Sequence, residues 1–100
     1  MTGVRIWLDG DGSRLYVRLS ERMDNRDFHE KFLRPLRTLG FRFDPAAVAH
    51  FIEIGCQQEC RLVIRQLEVN FEVSRLEKKE IFYWLGLADD RQPVLLHQHI

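Results

Sequence analysis

The sequence has few cysteines and no net charge, and each shortage excludes a class of protein. Only two cysteines occur among the 100 residues, Cys56 and Cys60. That number is too small for a secreted domain held together by disulfide bonds, and it fits a reducing cytoplasm. Fifteen basic residues balance fifteen acidic ones. The overall charge therefore attracts the chain neither to nucleic acid nor to an anionic membrane, and any such attraction has to be local.

The sequence also lacks a long hydrophobic run. Its longest nearly apolar stretch, residues 81–88, is far shorter than the roughly 18 to 20 residues that cross a bilayer. The first nine residues include arginine and aspartate where a signal peptide has an apolar segment. We therefore expect a cytoplasmic protein with no membrane association, folded as one domain over residues 1–100.

What is present begins with a β-hairpin signal. Apolar and polar residues alternate twice in the first twenty positions, on either side of an Asp11-Gly12 turn. Centring the turn there places residues opposite each other when their numbers sum to 23. The predicted pairs include Leu8 with Leu15, Ile6 with Val17, Trp7 with Tyr16 and Arg5 with Arg18.

Two helices are predicted after the hairpin. Residues 24–39 carry a narrow apolar stripe at helical spacing, but Pro35 removes a backbone donor, so we expect a kink or a break near Arg34. Residues 44–55 begin with Asp44 as an N-cap and Pro45 at the first helical position, and they end at Gly55. This pattern predicts a second helix.

The last third of the chain is more ambiguous. Residues 61–73 alternate in polarity and favour a long strand, although residues 57–67 also fit a helical stripe. Ser74 followed by Glu77 is typical of a capping box, which predicts a helix that ends near Gly86. Residues 93–99 are expected to add an edge strand.

Strands mixed with short helices, joined by short connections, predict the α+β class. We expect a small, mainly antiparallel sheet that begins with the N-terminal β-hairpin and packs against about three helices. The apolar side of the sheet would face the helices, and its polar side would face water or a partner.

The polar side of the hairpin is the first candidate binding surface. Arginines and flat rings share it, and this combination suits stacked bases and phosphates. Two arginines directly opposite each other also repel, which a bound anion would relieve. The alternative is that the guanidinium groups rest on the rings and extend into water. The candidate partner-binding residues here are Arg5, Trp7, Arg14, Tyr16 and Arg18.

The basic side of the first helix is a second candidate. Lys31, Arg34 and Arg37 would contact phosphate by charge neutralisation. Asp27 and Glu30 lie in the same stretch, however, and mixed charges are typical of an ordinary solvated helix.

A run of five large apolar residues from Ile81 to Leu85 provides the third candidate. It covers more than one turn of the predicted helix, so its members cannot all face one core. If Trp84 faces inward, Phe82 or Tyr83 is left outside. Exposed aromatic residues are typical of interface centres, including those of homodimers. Phe82 and Tyr83 are therefore candidate partner-binding residues.

Catalytic and metal-binding patterns are weak. Phosphate-binding glycine loops, dinucleotide fingerprints and serine elbows do not occur in the sequence. Cys56, Cys60, His97 and His99 form a poor zinc pattern because the cysteines are four residues apart and the histidines are distant. We expect no catalytic residues, no metal and no other cofactor.

The composition and these surfaces together favour a small non-catalytic binding protein. It would act as an adaptor, regulator or inhibitor by contact with a protein partner, as a bacterial, phage or mobile-element accessory protein does. A homodimer is compatible with the same surfaces. The alternative is a nucleic-acid-binding module that uses the arginine and aromatic face of the hairpin.

Overall fold

The computed structural model describes residues 1–86, and the edge strand expected at 93–99 lies outside them. A five-stranded sheet forms the framework, with the strand order β3-β4-β2-β1-β5. Three of the four neighbouring pairs are antiparallel, and β1 pairs with β5 in parallel. The strands are β1 (Thr2–Leu8), β2 (Arg14–Leu19), β3 (Arg42–Asp44), β4 (Ala49–Glu53) and β5 (Phe71–Val73).

The hairpin forms as predicted. The register of β1 and β2 pairs residues whose numbers sum to 23, including Trp7 with Tyr16 and Arg5 with Arg18. Gly12 adopts a φ of 75° in the turn, a conformation that favours glycine. Alternation and turn chemistry thus suffice to fix this register.

The first helical stretch adjusts around its proline. Helix α1 (Asn25–Asp27) continues into a π-helical segment (Phe28–Leu33) and then into α2 (Arg34–Thr38). In the π-helical segment the Arg34 amide donates to the carbonyl of His29, five residues back. This wider turn places Pro35 in the first turn of α2, where its missing N–H costs least.

The helix expected at 44–55 is wrong, because a turn and strand β4 occupy these residues. The side chain of Asp44 accepts from the Ala46 amide at 2.9 Å, which closes a turn instead of starting a helix. Val48 then adopts a φ of 51°, and β4 pairs with both β2 and β3. The same Asp-Pro signal serves either structure, and strand pairing decides between them.

The long strand favoured for 61–73 is also wrong, and the competing helical interpretation is confirmed. Helix α3 spans Gln57–Asn70, and only Phe71–Val73 are extended. Because β5 is parallel to β1, the chain needs a crossover before it, and α3 lies in that connection. The buried side of α3 consists of Cys60, Val63, Ile64 and Leu67.

The last described helix, α4, spans Arg75–Leu85 and follows its sequence signals. The Ser74 hydroxyl accepts from the Glu77 amide at 3.4 Å, and Gly86 ends the helix with a φ of 74°. The Glu77 side chain extends to β1 instead of completing the capping box. No helix among residues 1–86 is long and apolar enough to cross a membrane.

The helices cover one side of the sheet, as the α+β prediction requires. The main core lies between them and the inward side chains of the strands, which include Val4, Ile6, Leu15 and Val17. A smaller cluster of Tyr16, Ala49 and Phe51 lies on the opposite side of the sheet. The second side is therefore partly apolar, although no described helix covers it.

Candidate functional site

The outer sheet face, the side turned away from the helices, carries three aromatic rings. Trp7 stacks on Tyr16 with 5.5 Å between centroids, and Tyr16 lies 5.8 Å from Phe51. Tyr16 and Phe51 are each only 7% exposed. The Tyr16 hydroxyl donates to Asp44 at 2.9 Å and lowers the pKa of that carboxyl group. These rings form a small satellite core, with little open ring surface for a base to stack on.

Arginine side chains cover the rings of this face on the solvent side. The Arg18 guanidinium lies 5.0 Å from the Trp7 ring centroid and donates to the carbonyl of Ala47 at 2.7 Å. Arg14 lies 4.4 Å from the centroid of Phe51, and Arg42 lies 5.1 Å from it. Arg14 and Arg18 thus rest on rings, as the alternative to partner binding expects, but Arg18 donates to carbonyls and Arg5 pairs with Glu77.

Arg5 and Arg18, which lie opposite each other in the hairpin, both contact other groups of the chain. Arg5 Nε lies 3.0 Å from Glu77 Oε2, whereas Arg18 donates to the carbonyls of Ala47 and Val48. These contacts offset the repulsion between Arg5 and Arg18 without a bound anion. The structure therefore gives no electrostatic reason for a phosphate at this position.

The basic side of the first helical stretch lies away from the outer sheet face. Phe32 and Leu36 of this stretch are buried in the main core, so its polar side faces solvent on the helical side of the molecule. Lys31 Nζ lies 3.5 Å from an Asp27 carboxylate oxygen, whereas Arg34 and Arg37 are exposed. The structure does not bring Lys31, Arg34 and Arg37 together with the hairpin arginines.

The aromatic residues of α4 divide differently from the expectation. Phe82 is only 2% exposed, and the Arg61 guanidinium lies 5.5 Å from its ring centroid. Tyr83 is 88% exposed, and Trp84 is 56% exposed. The helix turns Phe82 into the core and Trp84 toward the hairpin, so the condition of an inward Trp84 is not met, and Tyr83 is the one of the two candidates that lies outside. Phe82 therefore offers no surface to a partner in this fold.

Trp84 and Tyr83 border a groove of about 470 Å³, which we call the edge groove. One wall is the chain from Ile6 to Gly10, and the other is α4. Trp84 closes the groove toward the hairpin turn, where a Cβ added at Gly12 would lie 2.6 Å from its ring. The α4 wall consists of Glu77, Glu80, Ile81, Tyr83 and Trp84.

Within the described residues, the end of β1 along this groove has no neighbouring strand on one side. Asp9 N–H donates to the carbonyl of Arg14, and Ser20 N–H donates to that of Gly3, so odd-numbered residues of β1 bond to β2. The backbone N–H and C=O groups of the even-numbered residues then point to the other edge of β1. On that edge, β5 pairs only with Thr2 to Val4. Beyond Val4, no strand among residues 1–86 continues the sheet on this side.

Glu77 accepts a hydrogen bond from one of the β1 backbone groups that β5 does not pair with. Its Oε1 accepts from the Ile6 amide at 3.1 Å, and its Oε2 accepts from Arg5. The N–H and C=O of Leu8 point the same way by alternation, toward the groove. In the described part of the chain, neither of these Leu8 groups bonds to another residue.

Acidic residues outnumber basic ones at the edge groove in the described part of the chain. Among residues 1–86, its lining includes Asp9, Glu77 and Glu80 but no lysine, arginine or histidine. Arg5 offsets the charge of Glu77, and Asp9 accepts from the Arg14 amide at 3.1 Å. Glu80 is exposed. The groove therefore combines an apolar wall with an excess of negative charge.

The other reactive side chains among residues 1–86 do not converge on a site. His50 lies between the rings of Phe32 and Phe43, and burial lowers its pKa. Burial raises the pKa of the Cys60 thiol to about 11, whereas Cys56 is exposed. Within residues 1–86, no three metal-ligating side chains lie together, and His97 and His99 lie outside this range.

No family model, curated protein or solved structure matches this chain. Sequence reasoning selected Tyr83 but missed the edge groove. The groove forms because β5 is shorter than β1 and pairs only with its first residues. It also missed Phe51, because a helix was expected at that position.

Proposed function

We propose that this chain is a small non-catalytic binding module that recognises a protein partner through the edge groove and the adjoining ring of Tyr83. The observation that carries this proposal is a backbone edge that no strand among residues 1–86 covers, beside two exposed aromatic side chains. Tyr83 is 88% exposed, and Trp84 is 56% exposed, next to the groove. Aromatic residues at the border of an apolar cleft are typical of the centres of protein interfaces.

The alternative, nucleic-acid binding through the outer sheet face, has less support. Base stacking requires accessible rings, and two of the three rings on that face are 7% exposed. Phosphate binding requires available guanidinium groups, and Arg5, Arg14 and Arg18 already contact carboxylates, carbonyls or rings. The same contacts stabilise the fold, so this face has a structural role without any ligand.

The test compares two surface variants for capture of a partner. Tyr83→Ser removes a ring at the groove, and Val69→Ser removes an exposed apolar side chain from α3, 73% exposed. Wild type and both variants are immobilised and exposed to extract of the cells that encode the chain. We expect a protein that wild type and Val69→Ser retain and that Tyr83→Ser loses by about tenfold, the effect of removing an interface anchor.

Circular dichroism of both variants checks that they fold, which the exposure of Tyr83 and Val69 leads us to expect. Equal capture by all three proteins would place any partner elsewhere and overturn the proposal. The proposal is also overturned if no protein is retained by wild type and lost by Tyr83→Ser.

A further inference from the structure

We infer that the edge groove takes an extended polypeptide segment, which adds to the sheet at the open edge of β1 and carries basic side chains. This inference rests on the proposed function and specifies the chemistry of the partner. It follows from three features of the groove: the direction of its backbone groups, its apolar wall and its charge.

The backbone groups favour a main chain as the occupant. The odd-numbered residues of β1 bond to β2, so Leu8 directs both its N–H and its C=O into the groove. A donor and an acceptor on one strand residue match the pattern that an added strand supplies. The residue of β1 left for an added strand is Leu8, which lies between the Glu77 bond to Ile6 and the hairpin turn beside Trp84.

The walls suit alternating side chains. In an extended segment, successive side chains point to opposite faces of the sheet. On one face they would meet Ile81 and Trp84 of α4, and on the other they would lie beside Trp7. The volume of about 470 Å³ lies within the range of ligand clefts, about 300 to 1,000 Å³.

The charge identifies the kind of segment. Asp9, Glu77 and Glu80 line the groove, and the part of its lining that residues 1–86 provide contains no basic residue. Lysine or arginine on the added strand would complement them. A second copy placed edge to edge would instead bring the same carboxylates together, which disfavours it as the occupant.

The test uses acetylated and amidated octapeptides as probes. The first alternates lysine and valine, and the second alternates glutamate and valine. Two further versions of the first peptide carry N-methyl groups on all lysine amides or on all valine amides. N-methylation removes the hydrogen-bond donors along one edge of an extended peptide and leaves its side chains in place. Binding is followed by the amide signal of Leu8 and the indole signal of Trp84 in NMR spectra of the whole chain.

We expect the lysine-valine peptide to shift both signals and the glutamate-valine peptide to bind at least several-fold more weakly. One N-methylated version should lose several-fold in affinity, because it lacks the N–H that would donate to the Leu8 carbonyl, and the other should bind like the parent peptide. Equal loss with both versions, or with neither, would overturn strand addition. Absence of any shift with the lysine-valine peptide would overturn it as well.

A charge variant checks the complementarity separately. Glu80→Lys should weaken binding of the lysine-valine peptide about two- to fivefold, the size of one exposed ion pair, and added salt should reduce the difference. Glu72→Lys makes the same change on β5, outside the groove lining, and should leave binding unchanged. Equal effects of both variants would contradict a charge-specific groove.

The remaining outcomes separate this inference from the function on which it rests. If Tyr83→Ser loses a captured protein while the peptides do not bind, the groove recognises a partner by another geometry, and only strand addition fails. Self-association of wild type that Glu80→Lys strengthens would assign the edge to a second copy and overturn the inference.

Discussion

The outer sheet face and the edge groove both combine aromatic rings with charged side chains, but they differ in what satisfies those groups. On the outer face, Arg18 binds carbonyls and covers Trp7, and Tyr16 donates to Asp44. In the groove, the open edge at Leu8 and the exposed ring of Tyr83 have no such cover among residues 1–86. Similar composition therefore produces a structural cluster in one place and an accessible surface in the other.

The largest expected difference concerns the rings themselves. Phe51→Ala removes a ring that is 7% exposed, packed beside Tyr16 and under Arg14, and should lower the free energy of unfolding by about 3 kcal/mol. Tyr83→Ala removes a ring that is 88% exposed and should change it by less than about 0.5 kcal/mol. Urea denaturation measures both. Similar losses for the two variants would remove the distinction between the faces.

The hairpin turn sharpens the comparison because it supports one end of the groove. Gly12→Ala places a Cβ 2.6 Å from the Trp84 ring at a φ of 75° and should cost about 1 to 2 kcal/mol of stability. Gly86→Ala is the matched control, because Gly86 has a φ of 74° and nothing lies within 4 Å of its added Cβ. Thermal unfolding compares the two variants. A Gly12→Ala protein as stable as Gly86→Ala would mean that Trp84 does not rest on the turn.

Glu77 connects α4 to the strand edge, and its removal has a smaller effect. Glu77→Ala loses the bonds to Arg5 and Ile6 and should cost about 1 kcal/mol. Hydrogen exchange at the Ile6 amide should become faster, since that amide joins Leu8 in facing an open edge. Glu80→Ala, one turn further along α4, is the control. Unchanged exchange at Ile6 would contradict the edge geometry.

The smallest effect is a pH dependence within the main core. Burial, followed by the charge of Arg37, lowers the pKa of His50 below 6.5. The unfolded chain then takes up a proton at a higher pH than the folded chain, so stability should fall as the pH decreases from about 7 through 6.5. His50→Gln should flatten this part of the stability curve. An unchanged slope in the variant would show that another group titrates there.

Sequence reasoning predicted the parts of this comparison that depend on local pattern. Alternation and the Asp11-Gly12 turn fixed the hairpin register, and Ser74 with Gly86 bounded α4. It failed where one pattern serves two structures. Asp44 opens a turn with the same chemistry that caps a helix, and the missed strand β4 supplies Phe51 to the outer face.

The edge groove had no local signal in the sequence. The groove exists because β5 pairs with only three residues of β1. The position of β5 along β1 depends on where α3 ends. The outward position of Trp84 depends in turn on how α4 packs against the hairpin. Long-range pairing thus decides which of the chain's aromatic residues are accessible.

The most direct test of this account is one NMR experiment on the whole chain with two ligands. At about 50 mM salt, where phosphate contacts are strong, a single-stranded oligonucleotide should leave the indole signal of Trp7 unchanged. The lysine-valine octapeptide should shift the signals of Leu8 and Trp84 in the same sample. The opposite result would contradict the account: the oligonucleotide shifts the Trp7 indole signal, and the peptide leaves the signals of Leu8 and Trp84 unchanged.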